Sequence, residues 1–176
     1  GYEGCRQAIA NRQNSLEGTS LDSDNIIMHN GSSGCLENVC KAFIDAGDVV
    51  IVESPSYSGT VRAIRGFQAE VIEVPMDLDG INVAHFQQTI LRLSEQGKQI
   101  KLFYTIPDYH NPMGSVTSLE VRRSVLETCA RNKIIIAEDA AYTELYYDAP
   151  PPPSYYALSV GHGVIKLCSF SKIIAT

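Results

Sequence analysis

Apolar residues along the chain change their spacing repeatedly, and each change marks an element. Leu36, Val39, Cys40, Phe43 and Ile44 recur at i, i+3, i+4, i+7 and i+8, the stripe of a helix with one face in a core, and Gly47 is placed to stop it. Residues 48–53 (DVVIVE) then form a continuous β-branched run, the mark of a strand covered on both faces. A short helix around 60–65 ends at Gly66, and a strand over 69–74 (AEVIEV) stops at Pro75. The turn at 77–80 leads into a helix near 83–96 with Val83, Phe86, Ile90 and Leu93 on one face. Next come a strand over 101–106 (KLFYTI), a loop over 107–115 and a helix carrying Val121, Val125 and Cys129, opened by the capping-box spacing Thr117-x-x-Glu120. Residues 133–139 (KIIIAED) and 164–168 (VIKLC) read as two further strands. Upstream of the strongest helix, residues 2–14 carry a weaker helical pattern, and 25–29 (NIIMH) predicts a strand that ends at the turn Asn30-Gly31-Ser32-Ser33-Gly34.

Strands separated by helices, most of them apolar throughout, predict an α/β fold: a mainly parallel sheet with helices on both faces. The proline tract at 150–153 breaks the alternation as a stiff surface connection. No internal repeat and no second domain is visible, so residues 1–176 read as one domain.

Composition then narrows the function classes. With 44% hydrophobic and 19% charged residues in 176, the chain buries enough apolar surface to exclude disorder as its main state. No apolar run approaches the ~18–20 residues of a membrane span, and the first residues lack the basic-then-apolar plan of a signal peptide. A net charge of −6 leaves no basic footprint for nucleic acid. Cys5, Cys35, Cys40, Cys129 and Cys168 are odd in number and form no C-x-x-C pair, which argues against a disulfide framework and a zinc site. They read as inert fillers of apolar positions in a reducing compartment, the cytoplasm. His29, His85, His110 and His162 have no metal-ligand spacing.

Ligands of parallel sheets sit beyond the carboxyl ends of the strands, so the residues there matter most. Ser32 and Ser33 open the strongest helix, where free N–H groups and the dipole suit a phosphate, or where the hydroxyls simply cap the turn. No G-x-G-x-x-G and no G-x-x-x-x-G-K-[ST] occurs, so a dinucleotide fold and a P-loop lack their fingerprints. Tyr57 follows the next strand and either stacks on a flat ring or packs at its turn. Asn111, in Asn111-Pro112-Met113-Gly114, offers an amide to a ligand oxygen, or the dipeptide is a turn alone. Asp139 emerges from an apolar strand with Tyr142 three residues on, and a carboxylate there needs a cation, in a ligand or in a structural salt bridge. Lys172, beside Ser169 and Ser171, is a carbonyl-reactive amine or a solvated surface lysine. Together the set is complementary to pyridoxal 5′-phosphate, group by group.

The motifs G-S-S at 31–33, P-S-Y-S-G-T at 55–60, Y-T-I-P at 104–107, N-P-M-G at 111–114, E-D-A-A-Y at 138–142 and S-F-S-K at 169–172 run in one order over nearly the whole chain. In that order they resemble the large, cofactor-binding domain of fold type I pyridoxal-phosphate-dependent aminotransferases, and most the aromatic amino acid, kynurenine and 2-aminoadipate group. The resemblance implies that Lys172 forms the Schiff base and shuttles a proton at the substrate Cα. It implies that Asp139 keeps the pyridine nitrogen protonated and that Asn111 and Tyr142 hydrogen-bond the phenolic oxygen. Ser32, Ser33, Ser169 and Ser171 would hold the phosphate, and Tyr57 would cover the ring. An amino acid and a 2-oxo acid, glutamate with 2-oxoglutarate, would be the substrates, and the full-length protein would be a homodimer.

Three departures from the family pattern stand out. Met113 replaces a usual threonine, Ser33-Gly34 stands where glutamines are frequent, and the sequence stops four residues after Lys172. The family continues there into a further strand beside the one at 25–29, a small C-terminal domain and an arginine for the substrate carboxylate. The expectation is an incomplete large domain with two unpaired sheet edges, unable to transaminate alone. The same core also serves β-elimination, ACC synthesis and the effector domains of transcription regulators, which remain alternatives.

Overall fold

Strand β1 (Val49–Ser54) sends its side chains alternately into two cores, one on each face of a six-stranded sheet. On one face Val49 and Ile51 pack with Phe86, Ile90 and Leu93 of α4 (Val83–Glu95) and with Val121, Val125 and Cys129 of α5 (Leu119–Asn132). On the other, Val50 and Val52 pack with Leu36, Val39 and Cys40 of α2 (Gly31–Phe43) and Ile64 of α3 (Ser58–Gly66). The computed structural model describes residues 1–174. Its remaining elements are α1 (Glu3–Glu17), a 3-10 turn (Ser23–Asn25), β2 (Glu70–Asp77), β3 (Gly80–Ile81), β4 (Ile100–Thr105), β5 (Ile135–Asp139), α6 (Tyr155–Ser159) and β6 (Val164–Leu167). The sheet order is β3-β2-β1-β4-β5-β6, parallel throughout except for β3, which pairs antiparallel with β2. The α/β class and the mainly parallel sheet are therefore as the apolar pattern predicts. Among the described residues no helix is long and apolar enough to cross a membrane.

Several local expectations are corrected. Residues 25–29 form no strand: the chain leaves the 3-10 turn extended at Ile26, and no described strand lies alongside to complete a ladder. Ile26 and Ile27 instead face the edge strand β6 across an apolar groove of about 410 Å³ that also takes in Val39, Phe43, Val164 and Ile165. Helix α2 stops at Phe43, not at Gly47, because Ile44 turns extended to bring the chain back into β1 while keeping its side chain buried. Gly47 serves the turn itself, with a φ of 89° and its N–H donated to Gln68. Strand β2 runs through Pro75, which lies opposite Ser54 at the last rung shared with β1, where a missing N–H is tolerated. The cap of α5 is Ser118, whose Oγ accepts the Val121 N–H at 3.3 Å; Thr117 is committed to the preceding loop through its N–H to Pro107. Two of the five cysteines, Cys5 and Cys168, are exposed and so fill no apolar position.

Candidate functional site

From β1 the chain crosses to β2 on one side, while β4 lies on the other, so the strand order reverses between β1 and β4. Open parallel sheets bind ligands in the crevice beyond such a reversal. A cavity of about 450 Å³ opens there, and Ser32, Ser33, Tyr57, Asn111, Asp139, Tyr142, Ser169, Ser171 and Lys172 all line it. All nine site residues singled out in the sequence thus meet at one place, although up to 140 positions separate Ser32 from Lys172.

Each is delivered by a different piece of the fold. Ser32 and Ser33 lie in the first turn of α2, and the preceding residue Asn30 makes no side-chain cap to that helix. The first N–H groups of α2 therefore lack the usual intramolecular acceptor, which leaves the positive end of a 13-residue helix for an anion. Tyr57 stands just before α3 with its ring over Gly59, where an added Cβ would come within 2.7 Å of the ring. That ring is half exposed and faces the cavity. Asn111 is carried on the loop after β4, and its Nδ2 lies 3.5 Å from the Tyr142 hydroxyl. Ser169 and Ser171 follow β6 with their hydroxyls 3.1 Å apart. Lys172 is exposed at the cavity wall, and among the described residues no ion pair holds its amine.

Asp139 closes β5 and has no basic partner among the described residues, so the structural salt bridge weighed for it is not made. Burial pushes its carboxyl pKa up, while hydrogen bonds from the Tyr104 hydroxyl and the Ala141 N–H pull the other way. The Tyr104 contact is short, 2.6 Å to Oδ2, and Ala141 reaches Oδ1 at 3.3 Å. Its neighbour Glu138 points to the opposite face and is wholly buried, with its pKa pushed up to about 7 by burial against the opposing pull of Lys166. The Tyr155 and Tyr156 N–H groups, at 2.9 and 3.1 Å, satisfy its two oxygens.

The apolar and motif patterns missed the polar groups that brace the site from behind. Glu53 at the end of β1 accepts from Thr105 Oγ1 at 2.7 Å and from the Ile106 N–H at 3.0 Å, with His110 Nε2 3.2 Å away. Arg122 is fully buried beside Val121 on α5. Its guanidinium pairs with Asp108 and donates to the carbonyls of Thr117, Pro107 and Pro153. Asp108 in turn accepts from Thr143 at 2.6 Å, one residue beyond Tyr142. The loops that carry Asn111 and Tyr142 are thereby fastened to one cation. A charged residue next to an apolar stripe usually faces water, so nothing in the spacing betrayed Arg122.

The sheet order, the position of the cavity and the elements that line it define the large-domain fold of a fold type I transferase. A model of class I and II aminotransferases matches residues 1–176, and the chain belongs to that family. It is 31% identical over 99% of its length to an aromatic-amino-acid aminotransferase of Thermococcus litoralis and covers 42% of that protein. The solved structure of a kynurenine aminotransferase of Pyrococcus horikoshii, in complex with PMP, superimposes with a TM-score of 0.94 at 31% identity, over 99% of this chain and 43% of that one. An HTH-type transcriptional regulator of Escherichia coli, YjiR, is 36% identical over 90% of the chain, which covers 33% of it. The chain spans about two fifths of the length of the first curated relatives it matches.

Proposed function

We propose that the protein carrying this chain is a pyridoxal 5′-phosphate-dependent aminotransferase that moves an amino group between an amino acid and a 2-oxo acid, with glutamate and 2-oxoglutarate as one pair. In this reading residues 1–176 form its cofactor-binding core, the working protein is a cytoplasmic homodimer, and a further domain supplies the grip on the substrate carboxylate. The observation that carries it is the convergence on one cavity of an amine and a half-buried carboxylate without ion pairs among the described residues, a paired amide and phenol, and an uncapped helix start. The donor set fits the cofactor at every group. The cavity's four serines and the free N–H groups of α2 suit a phosphate, Tyr57 suits a ring face, and Asn111 and Tyr142 suit a phenolate oxygen. When bound, the cofactor supplies a carbonyl that takes up the amino group and a ring that draws electrons away from the substrate Cα.

The chain's own residues would do the rest. Lys172 would take up and return the proton at the substrate Cα, which requires the amine free of an ion pair. Asp139, which accepts from the Tyr104 hydroxyl and the Ala141 N–H, would keep a proton on the ring nitrogen. Ser32, Ser33, Ser169 and Ser171 orient the phosphate, and Tyr57 shields the ring from water. The test is a full-length preparation mixed with pyridoxal phosphate. A visible absorption band is expected, lost in Lys172→Ala, together with amino transfer to 2-oxoglutarate that falls by roughly a thousandfold or more in that variant. A band that survives Lys172→Ala refutes the assignment.

A second reading, an aminotransferase-like effector domain of a transcription regulator, is supported by the 36% identity to YjiR. Sequence-specific DNA binding by the full-length protein, with cofactor bound but no amino transfer, would favour it.

A further inference from the structure

Behind Asp139 the structure joins two residues, Tyr104 and Thr60, that lie within the motifs but were given no role there. Tyr104 stands on β4 opposite Ala137 of β5, so it shares a sheet face with Asp139 two residues along. Its ring is buried in the core beneath α2 and α3, 1% exposed, and its hydroxyl donates to Asp139 Oδ2 at 2.6 Å. Thr60, in the first turn of α3 and also buried, donates from Oγ1 to the Tyr104 oxygen at 3.1 Å. With Thr60 donating, the single phenolic proton is directed at Asp139. Burial beside Asp139 also raises the Tyr104 pKa well above 10, so the phenol keeps that proton and remains a donor.

We propose that Thr60 and Tyr104 form a hydroxyl relay that positions Asp139 and holds it as an anion, so that its grip on a protonated ring nitrogen is set from inside the core. This rests on the proposed cofactor reading and adds to it two positioning residues that act through Asp139. A partly buried carboxylate at the end of β5 drifts toward its neutral form, and a neutral acid cannot hold a pyridinium proton. An O–H donated to the anion opposes that drift and fixes the carboxylate's rotation, with Oδ2 on Tyr104 and Oδ1 on the Ala141 N–H. A purely structural tyrosine would show the same burial and would need some partner for its hydroxyl. The two roles differ in whether the ring nitrogen matters.

The experiment uses the full-length protein, freed of cofactor, and measures the dissociation constants of pyridoxal phosphate and of its 1-deaza analogue, in which carbon replaces the ring nitrogen. In Tyr104→Phe, pyridoxal phosphate is expected to bind about tenfold or more weakly, the range of a hydrogen bond to a charged group, while the analogue binds as in the parent. Thr60→Val, which leaves the tyrosine in place, is expected to show a smaller loss confined to the natural cofactor and keeps the test open should Tyr104→Phe not fold. An equal loss for both compounds, or no loss for either, overturns the relay while the cofactor reading stands. Failure of the parent protein to bind pyridoxal phosphate overturns both.

Discussion

The two ends of the sheet treat charge in opposite ways. At the amino ends of β1, β2 and β4, Lys98 pairs with Glu70 at 2.6 Å in the open and Lys101 with Asp48 at 3.8 Å, partly covered but still reached by solvent. At the carboxyl ends, Glu53, Asp108, His110, Arg122 and Glu138 are almost wholly out of water. In the first region each charge is screened and replaceable. In the second, every charge depends on a named partner, because an uncompensated one has no water to turn to. The end that lies nearest the cavity is thus the end where the fold accepts desolvated groups in return for fixed geometry.

Breaking that contrast at its strongest point means removing Arg122. Arg122→Met retains volume but strands Asp108 in the core and releases three carbonyls, and is expected to lower unfolding stability by about 3–5 kcal/mol in urea titrations. Adding Asp108→Asn to the same molecule should recover part of the loss, since the unpaired charge goes with it.

Glu138 gives the next effect, and it has a sign. Its folded pKa of about 7 stands above the unfolded 4.5, so the folded state binds the extra proton between those values. The stability it contributes is present below about 4.5 and is lost as pH rises to about 7, by up to roughly 3 kcal/mol. Glu138→Gln, which cannot ionise, should flatten the fall of melting temperature over that window relative to the parent. An unchanged slope would mean that Tyr155, Tyr156 and Lys166 already hold the anion fully. At the opposite end, Lys98→Ala should change stability by less than about 1 kcal/mol, and by less still in high salt.

Sequence reading succeeded where a residue type and its neighbours act locally. The stripe Leu36, Val39, Cys40 and the run through Val49–Val52 are buried as their periods require. Most residues around the cavity were legible because they end or follow a strand, and strand ends in a parallel sheet gather at one edge; Ser32 and Ser33 were legible from the start of α2 instead. What failed depended on partners distant in sequence. Residues 25–29 have strand composition, but a strand exists only with a neighbour to pair with. Thr117 and Ser118 are both competent caps, and the hydrogen bond from Thr117 to Pro107 decided between them. Tyr104 and Thr60 lie 44 positions apart, and Arg122 reaches Pro153 across 31. No local pattern encodes such encounters, and they are the contacts that brace the cavity.

The opening turn of α3 has a mechanical corollary. Tyr57, whose carbonyl accepts the Thr60 and Val61 N–H groups, fronts the cavity, while Thr60 anchors the phenol that reaches Asp139 from the rear. Both jaws of the vice are therefore cut from one rigid piece, and a tilt of that helix would shift them in concert.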